Sequence, residues 1–542
     1  MTRERIEEAK QLINENRLKE AEKILESIKD KYAVFELAKI KIIQGNDHEA
    51  EKMYKKVLVN DSNMHEADLE LARIYHRQRR NELAMEYYGK FTDKIKNDVS
   101  VFKEIGRLHE AMGDLDQALL NIDKAYQLAK DDIMTNFELG IAYREAGRDK
   151  ESADIFKRMI GDSRIKNDKY LHNKALNEYE ISMRKEILES KPRAMIGMIM
   201  NKCNISCRIC DIWREGKWQE PDRILKEIVE LLPYMEDICW QGGEVFLMNG
   251  FEDMLSEGVK CKNLNQVIFT NGLLLNEKNL EIIARGNVEL VLSIDGATKE
   301  SYEYIRRGAS FEKLCKVLEL IKEVRKSTGA KINTYYNPVI CRTNYKEIEK
   351  MVEFAKKYEF TAITLNPIRG YPEENIFQPI DEKAFEYMRK TIPSAEVKAK
   401  EYGIRFNNWM PVDCGCKEIN FKHELVDDFV GNESVQSSVQ KQEKTEKKHE
   451  NEEKNKKANN RMICYAPWQR LLLDNMGQTR PYAMCTKWLG STEHFSLAEL
   501  WNSKNMQIYR KKLAENDFHD LCQPECISGQ IRYKLCRPVE DK

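Results

Sequence analysis

The sequence predicts a multidomain protein: an all-α helical-repeat solenoid, then an α/β partial (β/α)6 barrel, then a small cysteine-rich α+β domain. Three observations support this prediction. The N-terminal third repeats every 34 residues, the middle alternates apolar strand-like runs with amphipathic helices, and cysteines are concentrated towards the C-terminus. A chain of 542 residues is also long enough for about two to four domains.

We assign residues 1–165 to the helical repeat. Small residues recur at a 34-residue spacing at Ala38, Ala72, Gly106 and Gly140, and again at Ala50, Ala84, Ala118 and Ser152. The turn between the helices of each unit falls at Gly45, Arg79, Gly113 and Gly147. This is the period of tetratricopeptide repeats, in which small residues let paired helices pack closely. Residues 4–30 look like a shorter terminal cap.

A solenoid of this type usually presents a concave surface to a peptide or protein, so we expect the repeats to recruit one. The alternative is a dimerisation or packing surface. Four tyrosines could line a groove or could pack between helices: Tyr75, Tyr87, Tyr88 and Tyr143.

A helical connector is predicted over residues 166–193, ending at Pro192. Residues 194–412 then alternate apolar strands with amphipathic helices, and this alternation predicts a parallel sheet. Six strand–helix units can be counted, which gives the partial barrel. Ligand-binding groups are expected at the carboxyl ends of the strands. The single cysteines of this region are expected to be packing residues: Cys239, Cys261, Cys315 and Cys341.

Cys203, Cys207 and Cys210 follow the first apolar run at CxxxCxxC spacing. Three thiolates at this spacing can hold three irons of a four-iron cluster and leave the fourth iron open to a small molecule. The alternative is a set of buried cysteines that behave as small hydrophobic residues.

With the GGE run at Gly242, Gly243 and Glu244, this triad resembles the radical S-adenosylmethionine (radical SAM) superfamily. The resemblance implies that the triad binds a [4Fe-4S] cluster and that the GGE run holds the methionyl amino group of S-adenosylmethionine. A carboxylate such as that of Glu244 accepts charge-assisted hydrogen bonds from an ammonium.

Further cofactor-binding positions are implied at later strand ends, at Thr270, Asn271, Ser293, Asp295, Asn337 and Asn366. Thr270-Asn271-Gly272 and Asp295-Gly296 also fit turns, and the two asparagines before proline also fit loop starts. The sequence departs from the family at Ile209, where the residue before the third cysteine is usually aromatic. No catalytic acid or base can be assigned.

The resemblance implies reductive cleavage of S-adenosylmethionine to a 5′-deoxyadenosyl radical that abstracts a substrate hydrogen, with an electron donor such as flavodoxin or ferredoxin. A peptide or protein side chain is the expected substrate. One alternative is a non-catalytic iron–sulfur scaffold or redox sensor, and another is a radical SAM enzyme that acts on a carbohydrate or lipid precursor.

Residues 413–460 are predicted to be a linker, and from residue 431 its composition is too polar to bury a core, so we expect it to be disordered. Residues 461–542 resemble the SPASM or twitch extension of peptide-modifying radical SAM enzymes. The resemblance implies an auxiliary iron–sulfur cluster on Cys464, Cys485, Cys522 and Cys526. A tetrahedral zinc site is the alternative. The spacings of Cys414, Cys416 and Cys536 do not match a second auxiliary cluster.

A net charge of −1 gives no support for nucleic acid as the principal partner. No apolar run approaches the roughly 18 residues expected of a membrane span, and the charged amphipathic start does not look like a signal peptide. We therefore expect a soluble cytoplasmic protein, in which the 14 cysteines serve metal or redox chemistry rather than disulfides.

Overall fold

The structure, a computed structural model, describes residues 2–15, 17–44, 46–214, 218–412, 464–518, 520–523 and 526. The linker predicted to be disordered lies outside these residues. Contacts divide the chain into two units, Met1–Met159 and Ile160–Lys542, and each is described by itself.

The first unit is built from paired helices. Its helices are α1 (Thr2–Asn14), α2 (Leu18–Glu26), α3 (Lys31–Ile43), α4 (Asp47–Asn60), α5 (His65–Arg77), α6 (Asn81–Lys94), α7 (Val99–Ala111), α8 (Leu115–Leu128), α9 (Ile133–Glu145) and α10 (Asp149–Gly161). The odd-numbered helices from α3 to α9 begin 34 residues apart, as do the even-numbered helices from α4 to α10. The predicted period is therefore the period of the structure, and α1 with α2 forms the terminal pair.

The small residues of the repeat lie where the two helices of a pair approach most closely. A Cβ atom added to Gly140 would lie 2.5 Å from the ring of Phe156, and one added to Gly106 would lie 2.7 Å from Ile122. Ala38, Ala50 and Ala72 are buried in the same way. Close approach of the helix backbones is thus the physical reason for small residues at this spacing.

Two of the four tyrosines belong to the core of the repeat. Tyr75 and Tyr88 are buried, and their hydroxyl groups donate to Glu51 (3.0 Å) and Glu104 (2.9 Å). Burial with a polar partner is the usual situation of a core tyrosine. The packing interpretation therefore holds for these two side chains, while Tyr87 and Tyr143 are half-buried.

The second unit begins with two helices, α11 (Ser163–Lys166) and α12 (Lys169–Ser182), and then alternates strands with helices. The strands are β1 (Ala194–Met200), β2 (Asp237–Gly242), β3 (Asn265–Thr270), β4 (Val288–Leu292), β5 (Asn333–Tyr336), β6 (Val339–Ile340), β7 (Ala362–Pro367), β8 (Arg405–Asn408), β9 (Arg470–Leu473), β10 (Gln478–Arg480) and β11 (Gly490–Ser491). The α-helices between β1 and β8 are α13 (Asp222–Leu231), α14 (Phe251–Val259), α15 (Glu277–Ala284), α16 (Lys299–Ile305), α17 (Phe311–Thr328), α18 (Ile348–Lys357) and α19 (Glu382–Glu401). Those of the C-terminal part are α20 (Ala466–Gln469), α21 (Leu497–Trp501) and α22 (Lys504–Ala514).

These strands form one mostly parallel sheet. The order β1-β2-β3-β4-β5-β7 is parallel throughout, with β6 and β8 also parallel to β7. The predicted partial (β/α)6 architecture is confirmed, with β8 as an additional parallel strand. Because all these strands run in one direction, their carboxyl ends meet at one edge of the sheet.

Buried strands and amphipathic helices explain the packing of the sheet. β1 is buried along most of its length, and helices such as α13 bury one side, with Ile224 and Ile228 in the core. The residues that begin and end a helix are also set by the local sequence. Ser310 caps the start of α17, and the helix ends at Gly329, which has a left-handed conformation (φ 68°). Cys239 and Cys341 are buried, while Cys261 and Cys315 are half-buried against the core.

The connector differs from the prediction, because its last helix ends at Ser182 rather than continuing to Pro192. Residues 183–193 instead run as irregular chain that hydrogen bonds to the C-terminal part, for example from Leu188 N–H to Asn502 (3.0 Å). Arg193 at the end of this segment is fully buried and pairs with Glu178 and with Glu236 (2.6 Å). Tertiary hydrogen bonds here replace those of a continued helix.

The C-terminal part completes the sheet at its other edge. β9 pairs with β1 in parallel, from Ala194 opposite Arg470 to Gly197 opposite Leu473. β10 and β11 then extend the edge as antiparallel strands. No helix among the described residues combines the length and apolarity needed to cross a bilayer.

Candidate functional site

The three cysteines of the CxxxCxxC motif lie on the loop that leaves the carboxyl end of β1. Burial raises the pKa of all three thiols, and the pKa of Cys207 rises to about 12 although the nearby Arg306 opposes this. Cys203 and Cys210 also raise the pKa of Cys207, so the three sulfurs lie within electrostatic range of one another. Within the described ranges, no three Cys, His, Asp or Glu side chains already converge as the ligands of a single metal ion.

The cysteine loop is held by the segment that follows α16. The Ser206 N–H donates to the Arg307 carbonyl (2.9 Å) and the Arg208 N–H to the Ile305 carbonyl (2.8 Å). The indole N–H of Trp213 donates to the Cys207 carbonyl (3.1 Å). The backbone that carries the cysteines is therefore fixed by contacts with Ile305 and Arg307, which are far away in the sequence, and with the nearby Trp213.

Glu244 is fully buried beside this loop. Its carboxylate accepts hydrogen bonds from the Thr270 hydroxyl (2.7 Å) and the Asn271 N–H (2.8 Å), and a long one from the Phe246 N–H (3.4 Å), where it caps a short 3-10 helix. Burial raises the pKa of Glu244 to about 7, while these hydrogen bonds oppose the rise. The same carboxylate raises the pKa of Cys203, which places the two groups close together.

Gly242 and Gly243 allow two stretches of backbone to approach each other closely. Added Cβ atoms would collide with the Met200 and Lys202 carbonyl oxygens, and Gly242 has a φ of 135°. The N–H groups of Gly243 and Glu244 donate to these carbonyls (2.7 and 2.8 Å). The glycines therefore let the chain after β2 pack against the chain entering the cysteine loop.

Thr270 and Asn271 connect Glu244 with the cysteine loop. Besides its backbone bond to Glu244, Asn271 donates from its side chain to Asn204 (2.7 Å) and lies 3.9 Å from the sulfur of Cys203. The Thr270 hydroxyl also accepts from the Gly272 N–H (3.0 Å), as in a turn. These residues thus form a turn and also hold the carboxylate of Glu244 in place.

Asp295 is buried and paired with an arginine that the sequence analysis did not single out. Its carboxylate lies 2.7 Å from the Arg306 guanidinium and accepts from the Val339 N–H (2.9 Å). Arg306 in turn lies 3.8 Å from the sulfur of Cys207. The pair places a buried positive charge beside the cysteines, and no local pattern in the sequence marks Arg306 for this position.

The remaining predicted positions lie at neighbouring strand ends. The Ser293 N–H donates to the Thr270 carbonyl (2.9 Å), and the Asn337 N–H donates to the Leu292 carbonyl (3.1 Å). The side chain of Asn366 donates to that of Asn337 (2.7 Å). The structure therefore brings these residues to the carboxyl edge of the sheet, where the cysteine loop also lies.

An aromatic ring lies near Ile209 although the cysteine loop lacks one there. Tyr371 packs into the same apolar cluster as Ile209, and its hydroxyl donates to Asp211 (2.8 Å). Tyr371 has a φ of 49°, a conformation that a bulky residue rarely adopts. Its position after β7 gave no signal in the sequence.

These residues suit a [4Fe-4S] cluster and S-adenosylmethionine. Three clustered thiols match an iron–sulfur ligand set with one iron left open. The buried carboxylate of Glu244 suits the ammonium of an amino acid, since burial strengthens an ion pair of this kind.

Four cysteines of the C-terminal part also lie together. The backbones of Cys485 and Cys522 pair in an isolated antiparallel β-bridge. The buried Cys485 has its pKa raised mainly by burial and further by Cys464 and Cys522, and the pKa of Cys526 is raised first by a hydrogen bond with Cys522. This set suits an iron–sulfur cluster, and it suits tetrahedral zinc as well. Cys414, Cys416 and Cys536 lie outside the described residues.

Comparison with known proteins finds two family models and several relatives. Residues 198–355 match the Radical SAM superfamily, and residues 35–93 match the tetratricopeptide repeat. A GTP 3′,8-cyclase from Peptoclostridium acidaminophilum is 33% identical over 186 residues, which are 32% of this chain and 54% of the relative. The radical SAM cyclopropyl synthase TigE from Paramaledivibacter caminithermalis is 22% identical over 316 residues, 52% of this chain and 63% of TigE.

The crystal structure of Streptococcus suis SuiB bound to its precursor peptide SuiA is a more distant likeness. It has 14% identity and a TM-score of 0.43, and covers 69% of this chain and 82% of SuiB. The chain spans about half the length of the GTP 3′,8-cyclase relatives that it matches. Residues 198–355 therefore form a radical SAM superfamily domain, and tetratricopeptide repeats precede that domain in the sequence.

Proposed function

We propose that this protein binds a [4Fe-4S] cluster on Cys203, Cys207 and Cys210, binds S-adenosylmethionine at the open iron, and uses the pair to modify a substrate by radical chemistry. When bound, the cluster and S-adenosylmethionine supply a one-electron reaction that yields the 5′-deoxyadenosyl radical. The protein supplies binding, orientation and exclusion of water.

The observation that supports this proposal best is the placement of Glu244. A fully buried carboxylate without a bound cation is costly, and burial raises its pKa to about 7. An incoming ammonium would offset that cost by pairing with the ionised form. A scaffold or sensor that never binds S-adenosylmethionine has no need of a buried carboxylate beside its cluster loop.

The neighbouring residues have roles that follow from their contacts. Thr270 and Asn271 fix the orientation of the Glu244 carboxylate through two hydrogen bonds. Asp295 orients Arg306, whose positive charge offsets the negative charge that three thiolates bring. Ser293, Asn337 and Asn366 offer further polar groups at the same edge of the sheet for the ribose and carboxylate of the cofactor.

The substrate that we propose is a peptide or protein recruited by the repeats. Stacked helix pairs form an extended binding surface, which suits a chain-like ligand better than a small metabolite. The GTP 3′,8-cyclases, by their name, act on a nucleotide, so GTP is the natural comparison substrate. A peptide substrate should raise the yield of 5′-deoxyadenosine, whereas added GTP should leave it unchanged.

The first experiment is to measure 5′-deoxyadenosine formation from S-adenosylmethionine by the anaerobically reconstituted, dithionite-reduced protein. The control is the variant with Cys203→Ala, Cys207→Ala and Cys210→Ala. Product from the wild type alone is the expected result. If protein with its full iron and sulfide content binds no S-adenosylmethionine and forms no product, the scaffold or sensor function replaces this proposal.

A further inference from the structure

We infer that the outer face of the cysteine loop is the docking site for a small acidic electron carrier of the flavodoxin type. The inference rests on the proposed function, because S-adenosylmethionine is cleaved reductively only if an electron reaches the cluster. We call this face the basic rim and define it as Arg208, Trp213, Arg214, Tyr304 and Arg307.

Arg208 forms the first half of the rim, directly after Cys207 in the chain. Its guanidinium lies 4.3 Å from the centre of the Tyr304 ring and donates to the Tyr304 carbonyl (3.0 Å). Arg208 is exposed, and 46% of Tyr304 is exposed. An arginine held over an exposed tyrosine ring and hydrogen-bonded to its carbonyl is ordered before a partner arrives, so less entropy is lost on binding.

Arg307 and Arg214 form the second half around Trp213. The guanidinium of Arg307 lies 5.4 Å from the indole and donates to the Ser206 hydroxyl (3.1 Å), while that of Arg214 lies 4.9 Å from the same indole. Trp213 itself donates to the Cys207 carbonyl (3.1 Å). Each half of the rim is therefore attached to the backbone that carries the cysteines.

The charge of the rim is not neutralised. Among the described residues, neither Arg208 nor Arg307 has a carboxylate within salt-bridge distance, and only Arg214 has one, the half-exposed Asp211 (2.9 Å). The net charge of the whole chain is −1. The excess of positive charge is therefore a feature of the rim and not of the protein as a whole. Such a patch steers a partner of opposite charge, and arginine, tryptophan and tyrosine are the residues most enriched at binding hot spots.

The rim also lies where an electron must enter. Residues 206–208 pair with residues 305–307 through two backbone hydrogen bonds, and the next residue inward, Arg306, lies 3.8 Å from the sulfur of Cys207. One electron passes from the reduced carrier to the oxidised cluster. The carrier is oxidised because it loses that electron, the cluster would be reduced by gaining it, and no bond is formed or broken in this step.

The test compares two double variants with the same change in net charge. The first variant, Arg208→Glu with Arg307→Glu, reverses the sign of the charge at two positions of the rim. Lys262→Glu with Lys331→Glu, at exposed lysines that precede β3 and β5, makes the same change at the opposite edge of the sheet. The measured quantity is the rate at which anaerobic, photochemically reduced flavodoxin reduces the cluster, with dithionite as the small-molecule reductant for comparison.

We expect the rim variant to be reduced by flavodoxin at least about tenfold more slowly at low salt, and the control pair to stay within about twofold of wild type. Both should react with dithionite at the wild-type rate. An unchanged flavodoxin rate in the rim variant overturns the inference. Equal loss in the two variants also overturns it, since the rim would then have no special role.

The wild type and a conservative variant provide a second test if the rim variant loses iron. Arg208→Lys with Arg307→Lys keeps the charge and should keep the flavodoxin rate, and in wild type that rate should fall as salt rises. A rate that is independent of salt would contradict the inference. Dithionite-driven formation of 5′-deoxyadenosine tests the proposed function separately, because it needs no protein donor.

Discussion

Glu244 is the residue on which binding of S-adenosylmethionine should depend most. Glu244→Gln keeps the shape of the side chain but removes the charge that would pair with an ammonium. Charge-assisted hydrogen bonds contribute about 1.5–3 kcal/mol, so we expect the dissociation constant for S-adenosylmethionine to rise about 10- to 100-fold. Equilibrium binding to the reconstituted protein measures this.

Glu230→Gln is the matched control for this prediction, since Glu230 is an exposed carboxylate at the end of α13. Iron and sulfide content should be unchanged in both variants. Wild-type affinity in Glu244→Gln protein with an intact cluster would show that Glu244 only caps the 3-10 helix that follows it.

A second buried carboxylate, Glu220, should make the stability of the protein depend on pH. Burial, and to a lesser degree the nearby Asp474, raises the pKa of Glu220 to about 8, well above its ordinary value of 4.5. The folded protein therefore holds a proton that the unfolded chain has already released between these two values. Stability from this group is complete below about pH 4.5 and is lost as the pH rises towards 8, by at most about 1.4 kcal/mol per pH unit.

Glu220→Gln should remove this pH dependence, because the amide stays neutral throughout. Chemical denaturation of the cluster-free protein at pH 6 and pH 8.5 provides the measurement. The wild type should lose more stability than the variant between these two conditions. Parallel losses would show that Glu220 is ionised in the folded protein at both values.

At the scale of elements, the four C-terminal cysteines should bind metal independently of the radical SAM triad. The two sets lie on different parts of the chain. One is on the loop after β1, and the other is around the backbone β-bridge between Cys485 and Cys522. The variant lacking Cys203, Cys207 and Cys210 should therefore keep iron and sulfide, which elemental analysis and absorbance will detect. Adding Cys485→Ser should remove them.

The composition of the retained metal decides between the two alternatives for this site. Iron with sulfide supports an auxiliary cluster, whereas zinc without sulfide supports the tetrahedral site. A triad variant that retains neither would contradict a C-terminal metal site.

Sequence patterns predicted most of the elements and the motif residues, because those signals are local or periodic. The small residues Gly106 and Gly140, the cysteine triad and the strand ends could all be read from spacing. The role of Arg306 could not be predicted, since its contact with Cys207 exists only after α16 folds back on the cysteine loop. The end of α12 at Ser182 was missed for the same reason: hydrogen bonds to distant residues such as Asn502 replace those of a longer helix.

At the scale of the whole molecule, the two units have separate hydrophobic cores, so they should unfold separately. Gly140→Leu introduces a side chain where a Cβ atom alone would lie 2.5 Å from the buried ring of Phe156. Overpacking of this kind costs about 1–3 kcal/mol. We expect differential scanning calorimetry to show a lower transition temperature for the repeat unit and an unchanged one for the second unit.

Gly89→Leu is the control, because Gly89 lies within α6 and nothing surrounds its Cβ position within 4 Å. It should leave both transitions near their wild-type temperatures or raise that of the repeat. A single transition displaced as a whole by Gly140→Leu would show that the two units unfold as one.

The pairing of β9 with β1 has a consequence for how the protein is made. β1 carries the cysteine loop, yet one of its two neighbouring strands is Arg470–Leu473, which follows the rest of the barrel and the whole linker in the chain. Contacts between such distant segments form late, because a long loop must close first. A ribosome would release the repeat unit to fold long before β9 emerges, so iron can enter a finished radical SAM site only once nearly the entire chain has been synthesised.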